Sequence, residues 1–152
     1  MKLYFYFYVF VIIFFINNAY AERDILIKDA WIRAAPPNIH THAGYLVIIN
    51  NNPEEIELTN ITSEDYERVE IHLTRMVNEI AMMDKIDSIK IPSNSEFNFT
   101  PGKYHLMLIN NNKNILPGDT IRVNFIFNNK SMIPVSMIIK QDDPEHHYNH
   151  SH

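Results

Sequence analysis

The sequence predicts an all-β domain, a sandwich or barrel of short antiparallel strands. Three observations carry this. Alternating apolar and polar runs recur, as in Ile56-Glu57-Leu58-Thr59-Asn60-Ile61-Thr62 and Ile121-Arg122-Val123-Asn124-Phe125, and alternation with period two marks a half-buried strand. Turn signals punctuate them at close spacing, at Pro36-Pro37-Asn38, Asn52-Pro53, Pro101-Gly102 and Pro117-Gly118-Asp119. No amphipathic helix of ten or more residues interrupts the pattern.

The totals narrow the chemistry. A chain of 152 residues, 46% apolar, is one domain's worth. It has no cysteine. That excludes disulfides, thiolate zinc sites, thiol redox chemistry and a cysteine nucleophile, and also a blue-copper centre, which needs a thiolate. The net charge is −5, and no basic run suited to nucleic acid is present.

The N-terminus has the three parts of a secretory signal. Lys2 supplies the charge, residues 3–16 the apolar core, and Ala19-Tyr20-Ala21 the small-x-small end. The apolar run of fourteen residues is shorter than the roughly 20 that span a bilayer. Residues 1–21 are therefore expected to be cleaved, leaving no membrane span and a domain over residues 22–140, exported from the cytoplasm. Residues 141–152 form a polar, His-rich tail.

Strands follow in order. Residues 24–33 are β-rich, and the prolines after them end the run. His40 and His42 have the i, i+2 spacing of a shared face, but exposed loop histidines are the expectation there. Residues 43–50 read as a strand buried on both faces, and residues 56–62 as a clean alternation. Residues 63–66 suit a short helical turn. In residues 68–75, Val69, Ile71 and Leu73 face the core, and Glu70, His72 and Thr74 face away; Met76 continues the His72 face if the strand runs that far. Residues 80–83 come next, then residues 86–92 as one strand closed by Pro92. Phe97 and Phe99 alternate toward the core. Residues 120–127 and 132–139 are the last two strands.

The stretch Tyr104-His105-Leu106-Met107-Leu108 carries the chemistry. Side chains alternate along a strand, so Tyr104, Leu106 and Leu108 enter the core while His105 and Met107 stand together on the other face. Imidazole and thioether are a soft-metal donor pair, and thioether sulfur favours Cu(I). Outside the cytoplasm thiols oxidise, so thioethers suit a Cu(I) protein there.

Ten residues separate His72 from Met83, twenty-one separate Met83 from His105, and one separates His105 from Met107. This spacing resembles the metal-binding signature of the PCu(A)C family, the periplasmic chaperones that serve the copper-A centre of cytochrome oxidase. Asp29-Ala30-Trp31-Ile32-Arg33, Ala43-Gly44-Tyr45, Pro101-Gly102-Lys103-Tyr104 and Pro117-Gly118-Asp119 resemble the family's framework and occur in its order, so the resemblance covers residues 25–139.

The resemblance implies a cupredoxin-like Greek-key β-sandwich or barrel and one Cu(I) held by His72, Met83, His105 and Met107. It implies copper delivery rather than catalysis. The implied partners are the copper-A subunit of cytochrome c oxidase and a Sco-type thiol chaperone; a monomer is expected. The family often has Met directly after the first His, where this chain has Leu73. Met82 and Met76 stay open as alternatives to Met83. His146, His147, His150 and His152 form a short His-rich tract of a kind that binds metals, and family members often carry such extensions, which are thought to take Cu(II).

The alternative reading is a general periplasmic copper or zinc buffer, or a resistance protein. An enzyme is disfavoured. A copper monooxygenase needs an N-terminal histidine, and cleavage leaves Glu22; a dismutase needs a cluster of histidines that the domain lacks.

Overall fold

Ile121, Val123, Phe125 and Phe127 are all fully buried, with exposed Arg122 between the first two. That alternation is the pattern from which the whole architecture is built. The structure, a computed structural model, describes residues 24–141. Those residues form ten strands and no helix.

The strands are β1 (Ile25–Arg33), β2 (Thr41–Asn50), β3 (Ile56–Ser63), β4 (Tyr66–Val77), β5 (Ile80–Ile86) and β6 (Ile89–Ile91). After them come β7 (Ser95–Phe99), β8 (Tyr104–Asn111), β9 (Thr120–Phe127) and β10 (Met132–Lys140). They are hydrogen-bonded in the order β5-β4-β8-β2-β1-β10-β9-β3-β6, with β7 added on β2. Only β1 with β10 is parallel among these pairings. The order is far from the chain order, as a Greek key requires. β3 and β4 are consecutive, yet they pair with β9 and β8 respectively. The path rolls up so that Leu106, Leu108, Val69 and Ile71 share one core with Leu58, Phe125, Phe127 and Met137. This is the all-β, cupredoxin-like architecture expected from the sequence.

Local backbone devices set which face each strand shows. In β1 the register shifts between Lys28 and Trp31, where Asp29 takes a positive φ of 54°. A bulge of this kind inserts one residue and re-aims those that follow. Ile25 and Ile27 point inward before it and Ile32 after it, which leaves Trp31 on the outer face.

The structure corrects three details of the sequence reading. Glu64-Asp65 is a plain turn, without helix. Residues 86–92 are not one strand: the chain breaks at Asp87-Ser88, and β6 leaves β5 to pair with β3. His42 is not a loop residue; it lies in β2, buried, with its ring 5.7 Å from that of Tyr66. Asn50 is the last residue of β2. It is 0% exposed. Its Nδ2 group lies within hydrogen-bond distance of the carbonyls of Glu54 (2.8 Å), Ile91 (3.1 Å) and Pro92 (2.9 Å). Its Oδ1 accepts from the Asn52 backbone N–H at 2.9 Å.

Asn50 thus ties the end of β2 to the strand after the β5–β6 break. Removing it strands the buried Ile91 carbonyl and two part-buried ones at once, and an unsatisfied buried group is costly. Asn50→Ala is expected to lower stability by about 2–3 kcal/mol, read as a fall in the urea midpoint with an unchanged slope.

Candidate metal centre

Three adjacent strands, β5, β4 and β8, hold all four residues singled out by their spacing. The β4–β8 ladder places His72 directly opposite His105 and Glu70 directly opposite Met107. Opposed residues in an antiparallel pair share a face. The β4–β5 ladder places Lys85 opposite His72 and Met83 opposite Thr74. Met83 is therefore one diagonal step from His72 on one side, and Met107 one diagonal step on the other. His72 is the hub, and the two imidazole rings lie 5.9 Å apart.

The β4–β5 connection decides which methionine joins the face. Asn78 and Glu79 both have positive φ, 49° and 64°, as the two central residues of a tight primed turn require. Asparagine tolerates this region better than most residues. A two-residue turn fixes the register with Val77 opposite Ile80. Met82 then opposes Arg75 and points to the other side of the sheet. Met76 shares the His72 face but lies four residues along the strand, opposite Ala81.

The site is deep at one side and open at the other. His105 is 7% exposed, while Met83 is 58% exposed. On the outer face beyond Met107, Ala43 on β2 opposes it, and Trp31 packs on Tyr45 with ring centroids 4.7 Å apart.

The residues around the histidines had no role assigned from sequence. Glu70 Oε2 lies 2.9 Å from His72 Nε2. Glu70 Oε1 accepts from Lys85 Nζ at 3.0 Å and faces Arg68 Nε at 3.3 Å. The Lys103 carbonyl lies 3.1 Å from His105 Nδ1. His72 Nδ1 is buried and has no hydrogen-bond partner. The i, i+2 spacing of Glu70 and His72 was visible in the chain and would have flagged the first contact. Among the described residues, no group of three or more His, Asp or Glu side chains is placed to hold a metal.

The profile of the LpqE-like family matches residues 25–139, which is β1 through all but the last residue of β10. The chain belongs to the LpqE-like family. Protein RP573 of Rickettsia prowazekii (strain Madrid E), described as uncharacterized, is 28% identical over 128 residues, covering 82% of this chain and 71% of that protein. Among solved structures, the copper-bound PCuAC domain from PmoF2 is similar with a TM-score of 0.67 at 19% identity, covering 78% of this chain and 94% of that domain. The Cu(I) solution structure of DR1885 from Deinococcus radiodurans is similar with a TM-score of 0.63 at 19% identity, covering 82% and 83%. These likenesses are likenesses of fold.

In this LpqE-like chain, the surroundings of Glu70 favour its ionised form, and burial favours the neutral forms of His105 and His42. Hydrogen bonds from His72 and then Lys85 hold the Glu70 carboxyl below its usual range, against a smaller opposing effect of burial. Burial lowers His105, and the Lys103 carbonyl only partly opposes it. Burial likewise lowers His42, helped by the charge of His40.

The sign of the pH effect follows. For His42 and His105 the unfolded chain takes up protons first, near the ordinary value of 6.5. Their contribution is intact above that value and is lost as pH falls from it through the folded values. The denaturation midpoint is expected to drop as pH falls below about 6.5. His42→Leu is expected to flatten that dependence in part; an unchanged slope would count against buried neutral His42 as its source.

Proposed function

We propose that this chain is an exported Cu(I) carrier, in which His72, Met83, His105 and Met107 hold one ion for delivery to another protein. The observation that carries the reading is the register: His72 opposes His105, and Met83 and Met107 each stand one diagonal step from His72 on the same face. Two neutral imidazoles and two thioethers bring no negative charge, which suits a soft monovalent ion over Zn(II) or Cu(II). The fold neighbours described as copper-bound and Cu(I)-bound support the same direction.

Delivery, rather than catalysis, fits a site with one exposed edge, because the ion must leave. The periplasm is the proposed compartment. The proposed acceptor is the copper-A subunit of cytochrome c oxidase, served alongside a Sco-type thiol chaperone. The tail histidines, His146, His147, His150 and His152, lie outside the described residues; they are proposed to take Cu(II) independently of the main site.

The test is anaerobic competition between the full chain and a coloured Cu(I) chelator. One tightly held Cu(I) is expected, lost in the His105→Ala/Met107→Ala double variant. Met83→Leu is expected to weaken binding at least tenfold, by analogy with the loss of a ligand contact worth about 1.4 kcal/mol or more, while Met82→Leu leaves it unchanged. Equal binding by wild type and the double variant would reject the site and leave the buffer reading. Removal of residues 144–152 is expected to lower Cu(II) stoichiometry and leave Cu(I) stoichiometry at one.

A further inference from the structure

The four proposed donors leave one buried feature unexplained. Histidine has two ring nitrogens, and a metal takes only one, the one without a proton. Which nitrogen that is depends on what holds the other. The two histidines here are held in opposite senses. A carbonyl oxygen only accepts, so the Lys103 carbonyl, 3.1 Å away, requires the proton of His105 on Nδ1. Its Nε2 is then the bare nitrogen. At His72 the contact is reversed. Glu70 Oε2 lies 2.9 Å from Nε2, and an ionised carboxylate only accepts, so the proton of His72 sits on Nε2.

That leaves His72 Nδ1 as a buried lone pair with no partner. Buried polar atoms without partners are uncommon, and each needs a reason. Glu70 is well placed to keep its role. Its other oxygen is held by Lys85 at 3.0 Å with Arg68 beyond it, so the carboxylate is tied from both sides. It also stands opposite Met107, inside the ring of proposed donors.

We infer that Glu70 is a positioning residue that holds the Nε2–H tautomer of His72, so that Cu(I) is taken by Nδ1 of His72 and Nε2 of His105. This rests on the Cu(I) reading above and specifies its ligand atoms. No proton has to leave when the ion binds by this route, because both N–H groups keep their acceptors. Glu70 itself touches no metal.

The experiment is long-range proton–nitrogen NMR on the full chain labelled at histidine nitrogen, before and after anaerobic addition of Cu(I). Before addition, His72 is expected as the Nε2–H tautomer and His105 as the Nδ1–H tautomer. After addition, the nitrogens expected to shift are Nδ1 of His72 and Nε2 of His105. Glu70→Ala is expected to mix the His72 tautomers and weaken Cu(I) about 10–100-fold, the usual cost of losing such an outer partner. Glu70→Gln, whose amide oxygen still accepts the Nε2–H, is expected to restore most of the tautomer and of the affinity. A shift at Nε2 of His72, or Cu(I) held equally or more tightly by Glu70→Ala, overturns the inference and makes Glu70 a competitor of the metal. If Cu(I) moves no histidine signal in the wild type, the carrier reading falls and the ligand assignment with it. An Nδ1–H tautomer at His72 before addition rejects the Glu70 contact whatever copper does.

Discussion

The β4–β8 ladder is the constraint on which the site depends. Its register puts His72 against His105 and Glu70 against Met107 with no freedom left over. A slip of one residue would turn every side chain of one strand to the other face. It would bury Glu70 and His72 in place of Val69 and Ile71, which a core cannot accept without partners. The hydrophobic pattern that folds the protein therefore also aligns the proposed donors. Gly44 pairs with Leu106 in the adjoining β2–β8 ladder; a Cβ there would come within 3.1 Å of Leu108 and 3.2 Å of Leu106, so these core side chains would have to give by a few tenths of an ångström.

The framework of the fold was legible in the chain because alternation was strong where burial is one-sided. Residues 120–127 and 104–108 show it, with apolar positions entering one core. It failed where pairing partners change. Residues 86–92 read as one strand, since alternation says nothing about which neighbour a strand takes. The chain in fact transfers at Asp87-Ser88 from β4 to β3. His42 was misread because its neighbours are polar and prolines precede it; its burial comes from Tyr66 and Leu108, distant in sequence.

The candidate site was legible as spacing but not as geometry. Spacing offered His72, Met83, His105 and Met107, yet left Met82 and Met76 open. The turn at Asn78-Glu79 puts Met83 rather than Met82 on the His72 face, because a two-residue connection fixes the facing of two adjacent side chains, while Met76 shares that face four residues along the strand. The contact of Glu70 with His72 was foreshadowed by their i, i+2 spacing, but that of the Lys103 carbonyl was beyond one-dimensional reading, because a backbone oxygen has no sequence signature.

The proposed donors are not held with equal firmness. His72, His105 and Met107 stand on β4 and β8, which have ladder partners on both sides. Met83 stands on β5, at the end of the sheet, joined to β4 alone. Opening of a marginal strand costs far less than global unfolding. Fraying of β5 would withdraw one thioether while the core and both imidazoles stayed in place. The proposed donor set would then loosen first at Met83, on the open side of the face, with His72, His105 and Met107 still fixed by paired strands.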